Sequence, residues 1–279
     1  MAFERFDLPS AGGVTLAGGR SVPESPRAVI ALVHGLGEHL GRYDAFADTA
    51  KALGVAVVGA DLRGHGRSPG VPGYVERFDE YVDDAQAVIT AARTSAPGVP
   101  WFLMGHSMGG AVAIEWLSRR SVAEVAPTGV VLSSAALKIG AEVSPLLLAL
   151  APLISAVLPG LRVNAIDPAC ISRDAAQVAA YADDPLVMHV APPARTAAEL
   201  LAVVGRIGAV APRLCFPLYA MHGTGDALTD PEGTRELHAA WGGNDKTLRL
   251  WQGSLHEVLH DFDADEAGND ILHWVLARC

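Results

Sequence analysis

The feature that most constrains this chain is a series of short runs that are apolar at every position, separated by segments with helical periodicity. Three of these runs are AVIALVHG (28–35), GVAVVGADL (54–62) and PWFLMG (100–105). Strands that are apolar throughout occur in parallel sheets covered on both faces, because neither side of such a strand meets water. The alternation therefore predicts an α/β protein with a mostly parallel central sheet flanked by helices and right-handed crossovers.

The same pattern continues towards the C-terminus. Strands are predicted in TGVVLSSAAL (128–137), FPLYAMHG (216–223) and TLRLWQGS (247–254), and helices around 43–53, over 77–93, after Ser107 and in ILHWVLARC (271–279). With 279 residues, of which 50% are hydrophobic, the chain is long enough to bury a substantial core.

The alternation is interrupted between residues 138 and 211, where no convincing core strand occurs and the sequence is helical in character. An insertion of this kind between two strands predicts a cap over the sheet. We therefore divide the chain into a first core part (1–137), a helical cap or lid (138–211) and a second core part (212–279).

The cap begins with VSPLLLALAPLISAVLPGL (143–161), a stretch without a charged residue. About 20 apolar residues can cross a bilayer, so a transmembrane span is one interpretation. The prolines argue against a span, because each interrupts helical hydrogen bonding; they are Pro145, Pro152 and Pro159. The alternatives are a helix packed on the core and a mobile lid whose apolar face meets lipid and frames an acyl pocket. We favour the lid.

The clearest chemical signal is GHSMGG (105–110), which stands between an apolar strand-like run and the helix-like AVAIEWLSRR (111–120). A nucleophile elbow needs a strand leading in, a strained turn at the nucleophile and a helix leading out. The backbone N–H of the next residue then serves as an oxyanion donor. Glycines let the two backbones approach closely. We therefore predict Ser107 as the nucleophile and the Met108 N–H as one oxyanion donor.

A second match to the same pattern, GRSPG (66–70), fails this test. Ser68 is followed by Pro69, which has no N–H to donate. The next residues, GVPG (70–73), predict a loop and not a helix. Ser68 is therefore excluded as a nucleophile.

A serine needs partners, because its hydroxyl becomes a good nucleophile only when a base, oriented by a carboxylate, takes its proton. In enzymes with this elbow the acid and then the base follow the serine along the chain, on loops after late strands. Asp226, just past a strand and a glycine turn, is the predicted acid. Asp230 is the alternative, although an N-cap role before Pro231 also suits it. His256 is the predicted base, in preference to His260 one helical turn later.

The second oxyanion donor is predicted in HGLGEH (34–39), the loop after the strand at 28–35. Its candidate is the Leu36 N–H, because the flanking glycines let the loop fold over the site. His106 either lines the alcohol side of the site or packs at the start of the helix. Further candidates for substrate contact come from the apolar part of the cap: Leu146, Leu147, Leu150 and Ile154.

Composition excludes several other classes of protein. The formal net charge is −10, with 21 basic and 31 acidic residues, which argues against nucleic-acid binding because that requires basic patches. The three cysteines are widely spaced and indicate neither a disulfide framework nor a metal site. The N-terminus lacks the features of a secretion signal, so we expect a cytoplasmic protein, with peripheral membrane contact through the cap as an option.

Five motifs together carry a specific resemblance: HGLGEHLGRY (34–43), DLRGHGRS (61–68), GHSMGG (105–110), HGTGDALTD (222–230) and LHEVLHD (255–261). They resemble the monoacylglycerol lipase and lysophospholipase-like branch of the α/β-hydrolases, most closely the actinobacterial monoglyceride lipases. The resemblance covers nearly the whole chain, including SRDAAQVAAYADDPLV (172–187) in the cap.

The resemblance implies an α/β-hydrolase fold and a serine esterase that cleaves monoacylglycerols through an acyl-enzyme, without a metal or cofactor. It also implies that Ser107, Asp226 and His256 form the triad and that Leu36 and Met108 supply the oxyanion donors. Lysophospholipids and short-chain or medium-chain esters remain alternative substrates. A non-catalytic ligand-binding protein on the same scaffold is the alternative from another class. The oligomeric state and the preferred acyl length do not follow from the sequence.

Overall fold

The computed structural model describes residues 2–119, 126–138, 145–162 and 167–279, with the backbone alone for 145–149. Within these residues the strands are β1 Glu4–Pro9, β2 Thr15–Ser21, β3 Ala28–Val33, β4 Val55–Ala60, β5 Trp101–His106, β6 Gly129–Ser133, β7 Leu218–Gly223 and β8 Lys246–Trp251. They form one sheet in the order β1-β2-β4-β3-β5-β6-β7-β8. β1 and β2 pair antiparallel, as do β2 and β4, and every pairing from β4 to β8 is parallel.

Helices cover both faces of this sheet. In the described part of the chain they are α1 Asp44–Ala52, α2 Asp79–Ser95, α3 Met108–Ser118, α4 Pro145–Val157, α5 Ala175–Asp183, α6 Ala194–Val210, α7 Pro231–Ala240 and α8 Ala264–Leu276. Side chains of α2, α3 and α7 share one apolar core with the sheet, and those of α1 and α8 share a second core. The strands β3 to β7 are buried at every position, as their apolar sequences require. The predicted α/β-hydrolase fold is confirmed.

The N-terminal hairpin of β1 and β2 is a feature that our sequence analysis did not assign. Its strands lie at one edge of the sheet, and only one residue of β1 is buried. β2 contains the glycine pair at 18–19 and an arginine. A search for runs that are apolar throughout finds strands covered on both faces, so it does not detect an edge hairpin.

The cap helices α4, α5 and α6 lie in the chain between β6 and β7, inside the segment predicted as an insertion. α4 packs against α6, and α6 packs against α3 of the core. α4 has 13 residues and contains Pro152. None of the helices in the described ranges has both the length and the apolar character that a membrane crossing requires. The domain limits at 137/138 and 211/212 stay predictions.

The topology determines where a site forms. Because β3, β5, β7 and β8 run parallel, the loops that follow them emerge at the same edge of the sheet. In open α/β sheets this carboxyl edge is where ligands bind. The four loops carry the residues predicted from HGLGEH, GHSMGG, HGTGDALTD and LHEVLHD.

Candidate active site

The predicted nucleophile lies on the tight turn between β5 and α3. Ser107 has φ 51° and ψ −120°, a backbone conformation that residues other than glycine rarely adopt. Such a residue costs on the order of 1–3 kcal/mol and persists only where its surroundings enforce it. A Cβ on Gly109 would overlap the carbonyl oxygen of Val33, so this glycine allows α3 to start directly against β3. The elbow geometry predicted from the sequence is therefore present.

Three side chains from distant segments form one chain of hydrogen bonds. The Oγ of Ser107 lies 2.9 Å from Nε2 of His256, and Nδ1 of His256 lies 2.7 Å from Oδ2 of Asp226. Since a carboxylate only accepts, Nδ1 of His256 carries the hydrogen, and Nε2 is free to accept the serine proton. The structure thus brings the predicted nucleophile, base and orienting carboxylate into contact, in the order that acyl transfer requires.

The Asp226 carboxylate is buried and surrounded by hydrogen-bond donors. Its Oδ1 accepts the backbone N–H groups of Leu228 at 2.8 Å and of Thr229 at 3.1 Å. Its Oδ2 also accepts from the Thr229 hydroxyl at 2.8 Å and from Nε2 of His222 at 2.9 Å. Burial alone would raise the pKa of Asp226, but the adjacent His256 and His222 hold it well below its usual range. Asp226 is therefore ionised at neutral pH.

The pKa values of the two histidines beside Ser107, His256 and His106, are shifted in opposite directions. Burial alone would lower the pKa of His256, but the charge of Asp226 outweighs burial and raises it above its usual value. The ring of His106 lies 5.0 Å from that of His256, and burial lowers the pKa of His106 to about 4. His106 is therefore neutral at neutral pH, and its Nδ1 lies 3.1 Å from the carbonyl oxygen of Ser133.

The residues weighed as alternatives have other contacts. The side chain of Asp230 accepts the Glu232 N–H at 2.9 Å and caps α7. The Nε2 of His260 lies 2.7 Å from the carbonyl oxygen of Arg42. The Ser68 hydroxyl accepts the Ala17 N–H at 2.8 Å. Each of these side chains thus has a local structural partner that accounts for it.

Both predicted oxyanion donors belong to residues that line the same cavity as Ser107, namely Leu36 and Met108. Met108 is the first residue of α3, so its N–H lies outside the hydrogen bonds of the helix. The loop that carries Leu36 is held by Glu38, whose Oε1 accepts the Gly35 N–H at 2.6 Å. A Cβ on Gly35 would lie 3.1 Å from the Cβ of Ser107, so this loop passes directly beside the nucleophile.

Four polar side chains are among the residues that line the cavity, and we call them the polar end: Glu38, His106, Tyr181 and Glu257. The Arg42 guanidinium donates to Glu257 at 2.5 and 2.6 Å and to Glu38 at 3.2 Å. The Tyr181 ring centroid lies 4.8 Å from the guanidinium carbon of Arg42. Burial alone would raise the pKa of Glu257, but Arg42 lowers it below its usual range, so the carboxylate is charged at neutral pH.

The rest of the cavity is mainly apolar. Its volume is about 250 Å³. Helix α6 contributes Ala197, Leu200 and Leu201, and the turn after β7 contributes Leu228. We call these four residues the apolar wall. A cavity that combines an apolar lining with a few polar groups beside a nucleophile is the usual form of a small-molecule site.

Substrate contact by the predicted cap residues stays a prediction, and the helix that lines the cavity beside Ser107 is α6. Of the five candidates for substrate contact, His106 lines the cavity, but Leu150 and Ile154 do not. Leu150 is 41% exposed, because α4 packs on α6 and it is α6 that faces the cavity. The side chains of Leu146 and Leu147 lie outside the described residues. An uncharged sequence alone does not tell which of two neighbouring helices lines a pocket.

Several neighbours of the site were not assigned a role from the sequence. His222 and Thr229 were not singled out in the sequence, yet both contact the Asp226 carboxylate. Glu257 follows His256 directly, and its pairing with Arg42 joins two loops that are 215 residues apart in sequence. The sequence shows only that Glu257 stands beside His256. Its pairing with Arg42 could not be predicted, because the two loops meet only in the folded sheet.

The comparisons with known proteins agree with this geometry. Residues 24–263 match the Hydrolase_4 family, described as serine aminopeptidase S33. The chain is 36% identical over 262 residues to the monoglyceride lipase of Rattus norvegicus, covering 91% of this chain and 84% of that protein. It is 33% identical over 268 residues to the monoacylglycerol lipase of Mycolicibacterium smegmatis, covering 96% of this chain and 95% of that protein.

A solved structure leads to the same group. The monoacylglycerol lipase of Paleococcus ferrophilus superposes with a TM-score of 0.84 at 30% identity, covering 95% of this chain and 99% of that one. The family match, the two relatives and this structure together confirm the resemblance carried by the five sequence motifs. The chain therefore belongs to the Hydrolase_4 family of α/β-hydrolases, in the branch that resembles the monoacylglycerol lipases.

Proposed function

We propose that the protein is a serine esterase that hydrolyses monoacylglycerols to glycerol and a free fatty acid. The observation that carries the proposal is the hydrogen-bonded chain from Ser107 through His256 to Asp226, opening on a cavity with a polar end and an apolar wall. The names of the relatives, monoglyceride lipase and monoacylglycerol lipase, support the same substrate class.

In the proposed first step, Nε2 of His256 takes the Ser107 proton as the serine oxygen attacks the ester carbonyl. The carbonyl oxygen becomes an oxyanion, which the Leu36 and Met108 N–H groups stabilise. The tetrahedral intermediate then collapses, the bond to the alcohol oxygen breaks, and His256 gives its proton to the departing glycerol oxygen. Ser107 keeps the acyl group as an ester.

In the second step, water enters the space that glycerol has left. His256 takes one proton of this water, and the resulting hydroxide attacks the acyl carbonyl. The intermediate collapses, the Ser107 oxygen leaves and recovers its proton from His256, and the fatty acid departs. Asp226 stays ionised throughout, and it stabilises the imidazolium that forms in each step. Activity should fall as the pH drops through the raised pKa of His256, because the protonated imidazole cannot accept the serine proton.

The cavity supports a substrate with one acyl chain and an uncharged alcohol. Its volume of about 250 Å³ is small for a binding site, and the apolar wall suits a single acyl chain. Glu38 and Glu257 at the polar end accept hydrogen bonds, which suits hydroxyl groups. A lysophospholipid phosphate would meet these two carboxylates, and Arg42 is already paired with both. This charge arrangement favours a monoglyceride over a lysophospholipid.

The family description names an aminopeptidase, whereas the relatives matched over most of the chain are named monoglyceride lipase and monoacylglycerol lipase. We therefore propose ester hydrolysis and not release of an N-terminal residue.

The proposal includes peripheral contact of the cap with lipid. Helix α4 and the residues that follow it expose large apolar side chains to solvent: Leu150, Leu153, Val157, Leu158 and Leu161. Residues 150, 153 and 157 are spaced so that they share one face of the helix. A contiguous exposed apolar surface of this kind is typical of a protein or lipid contact. Monoglycerides reside in lipid phases, which makes lipid the occupant that we propose.

A hydrolysis panel tests the proposal. It compares monoglycerides, diglycerides, a lysophospholipid and p-nitrophenyl esters of several chain lengths, with release of alcohol as the readout. Ser107→Ala should lower kcat by about 10⁵–10⁶-fold, because the nucleophile is lost. The matched control is Ser68→Ala, in the second glycine-x-serine-x-glycine stretch, which should keep its kcat.

Each alternative predicts another outcome of this panel. A lysophospholipase would prefer the lysophospholipid, and a short-chain esterase would lose activity as the acyl chain lengthens. A non-catalytic binding protein would bind ester without steady release of alcohol. Full activity in Ser107→Ala would reject the whole mechanism.

A further inference from the structure

The Asp226 carboxylate contacts two imidazoles through the same oxygen atom. Its Oδ2 lies 2.7 Å from Nδ1 of His256 and 2.9 Å from Nε2 of His222. We propose that His222 is a positioning residue of the catalytic relay, whose N–H donor to Asp226 sets how strongly His256 holds a proton. This inference rests on the proposed role of Ser107, His256 and Asp226.

The contacts of His222 determine which of its nitrogens carries hydrogen. Its Nε2 faces two acceptors, the Asp226 carboxylate and the carbonyl oxygen of Thr229 at 3.2 Å, so Nε2 bears the proton. Its Nδ1 lies 2.6 Å from the hydroxyl of Thr234 on α7, which donates to it in the neutral ring. His222 is 0% exposed and Thr234 is 1% exposed, so water does not compete for these bonds. His222 is therefore held as a donor to Asp226.

Sharing one oxygen has an electrostatic consequence. Each donor to Oδ2 stabilises the negative charge of Asp226, and the charge then attracts a proton on His256 less strongly. Without the His222 donor, the Asp226 charge stabilises protonated His256 more strongly. The pKa of His256 therefore rises, and His256 becomes a stronger base. The Thr229 hydroxyl, 2.8 Å from the same oxygen, remains in place and keeps part of the stabilisation of the Asp226 charge.

His222 acts at a distance from the substrate. It is not among the residues that line the cavity, whereas His256 is. The titratable and charged groups that influence His256 are Asp226, Glu257, Glu38 and His106. Of these four groups, only Asp226 forms a hydrogen bond with His222. A shift in the titration of His256 in such a variant therefore reports on Asp226.

The test compares His222→Leu with His222→Gln. Leucine removes the donor, whereas the amide nitrogen of glutamine reaches the place of Nε2 and keeps it. His222→Leu should move the acidic limb of the kcat/KM profile to higher pH by about one unit, with kcat at neutral pH several-fold lower. KM should be unchanged, because His222 does not contact substrate. His222→Gln should restore the wild-type midpoint.

One result would overturn the inference. A uniform loss of activity at all pH values, with the acidic limb in its wild-type place, would reduce His222 to a packing residue and overturn the inference. Thr234→Val keeps the imidazole but removes its hydrogen-bond partner, so it should shift the limb in the same direction by a smaller amount. This variant supplies the answer where His222→Leu does not fold.

Different results would reject the proposed function and the proposed role of His222. Loss of activity in Ser107→Ala together with an unmoved acidic limb in both His222→Leu and Thr234→Val would keep the proposed function and reject the role of His222. Activity in Ser107→Ala would reject the triad itself.

Discussion

The polar end and the apolar wall of the cavity are built on different physical principles. At the polar end, each charged group has a defined partner: Arg42 pairs with Glu38 and Glu257, and Glu38 also holds the Gly35 N–H. The apolar wall consists of alkyl side chains whose contacts are non-directional. Directional bonds therefore hold the polar end in place, whereas shape alone sets the space that we propose for the acyl chain.

The largest expected effect tests the polar end. Arg42→Met would leave the buried carboxylates of Glu38 and Glu257 without their cation. Breaking a buried pair in this way costs about 3–5 kcal/mol in the free energy of unfolding, which chemical denaturation measures. The matched control is Arg119→Met. Arg119 is 37% exposed where it pairs with Asp79 and Glu115, and Glu115 keeps Arg206 as a second cation, so the loss of Arg119 should cost at most about 1 kcal/mol.

The pH dependence of that effect follows from the carboxylates. Arg42 lowers the pKa of Glu257, so its stabilisation of that carboxylate is fully present above the usual carboxyl pKa and is lost as the pH falls. The difference between wild type and Arg42→Met should therefore shrink in acid. Equal losses in Arg42→Met and Arg119→Met would contradict the contrast between the two regions.

A smaller effect is expected at the apolar wall. Leu200→Trp fills space that the acyl chain would occupy, so kcat/KM for long-chain monoglycerides should fall about tenfold while short-chain esters are unaffected. Leu150→Trp is the matched control, because Leu150 is 41% exposed on α4 and does not line the cavity. If both variants lose activity on long chains equally, α6 is not the helix that bounds the acyl site.

The smallest effect concerns the exposed face of α4. Leu153→Glu and Val157→Glu place charge on side chains that are 63% and 68% exposed. Activity on monoglyceride in vesicles should fall several-fold, whereas activity on a dissolved short-chain ester should not change. Val71→Glu is the control, since Val71 is 60% exposed but lies outside the cap. A loss with both substrates, or the same loss in the control, would remove lipid contact from the proposal.

The same contrast explains what the sequence could predict. The elbow at Ser107 requires particular residue types at fixed spacing, so a short motif indicates it. The strands β3 to β8 were found because apolar runs alternate with helices. The distinction between Asp226 and Asp230 also followed from local signals, because Asp230 precedes a proline that suits a helix start.

The residues of the apolar wall could not be predicted from local sequence motifs. α4 is uncharged and α6 is amphipathic, and only the packed fold determines that Leu200 lines the cavity while Leu150 is partly exposed to solvent. The pairing of Arg42 with Glu257 joins loops that meet only after the sheet has formed. The second imidazole on Asp226 has the same origin, since His222 reaches that carboxylate from within β7.

The distance along the chain between Ser107 and His256, 149 positions, also affects how the protein acquires activity during folding. Helices form within about a microsecond, but parallel strands far apart in sequence must first close long loops, so such sheets form slowly. A chain released from denaturant should regain its helical circular dichroism well before it cleaves ester. The time at which hydrolysis recovers thus reports when the final strand, β8, pairs with β7.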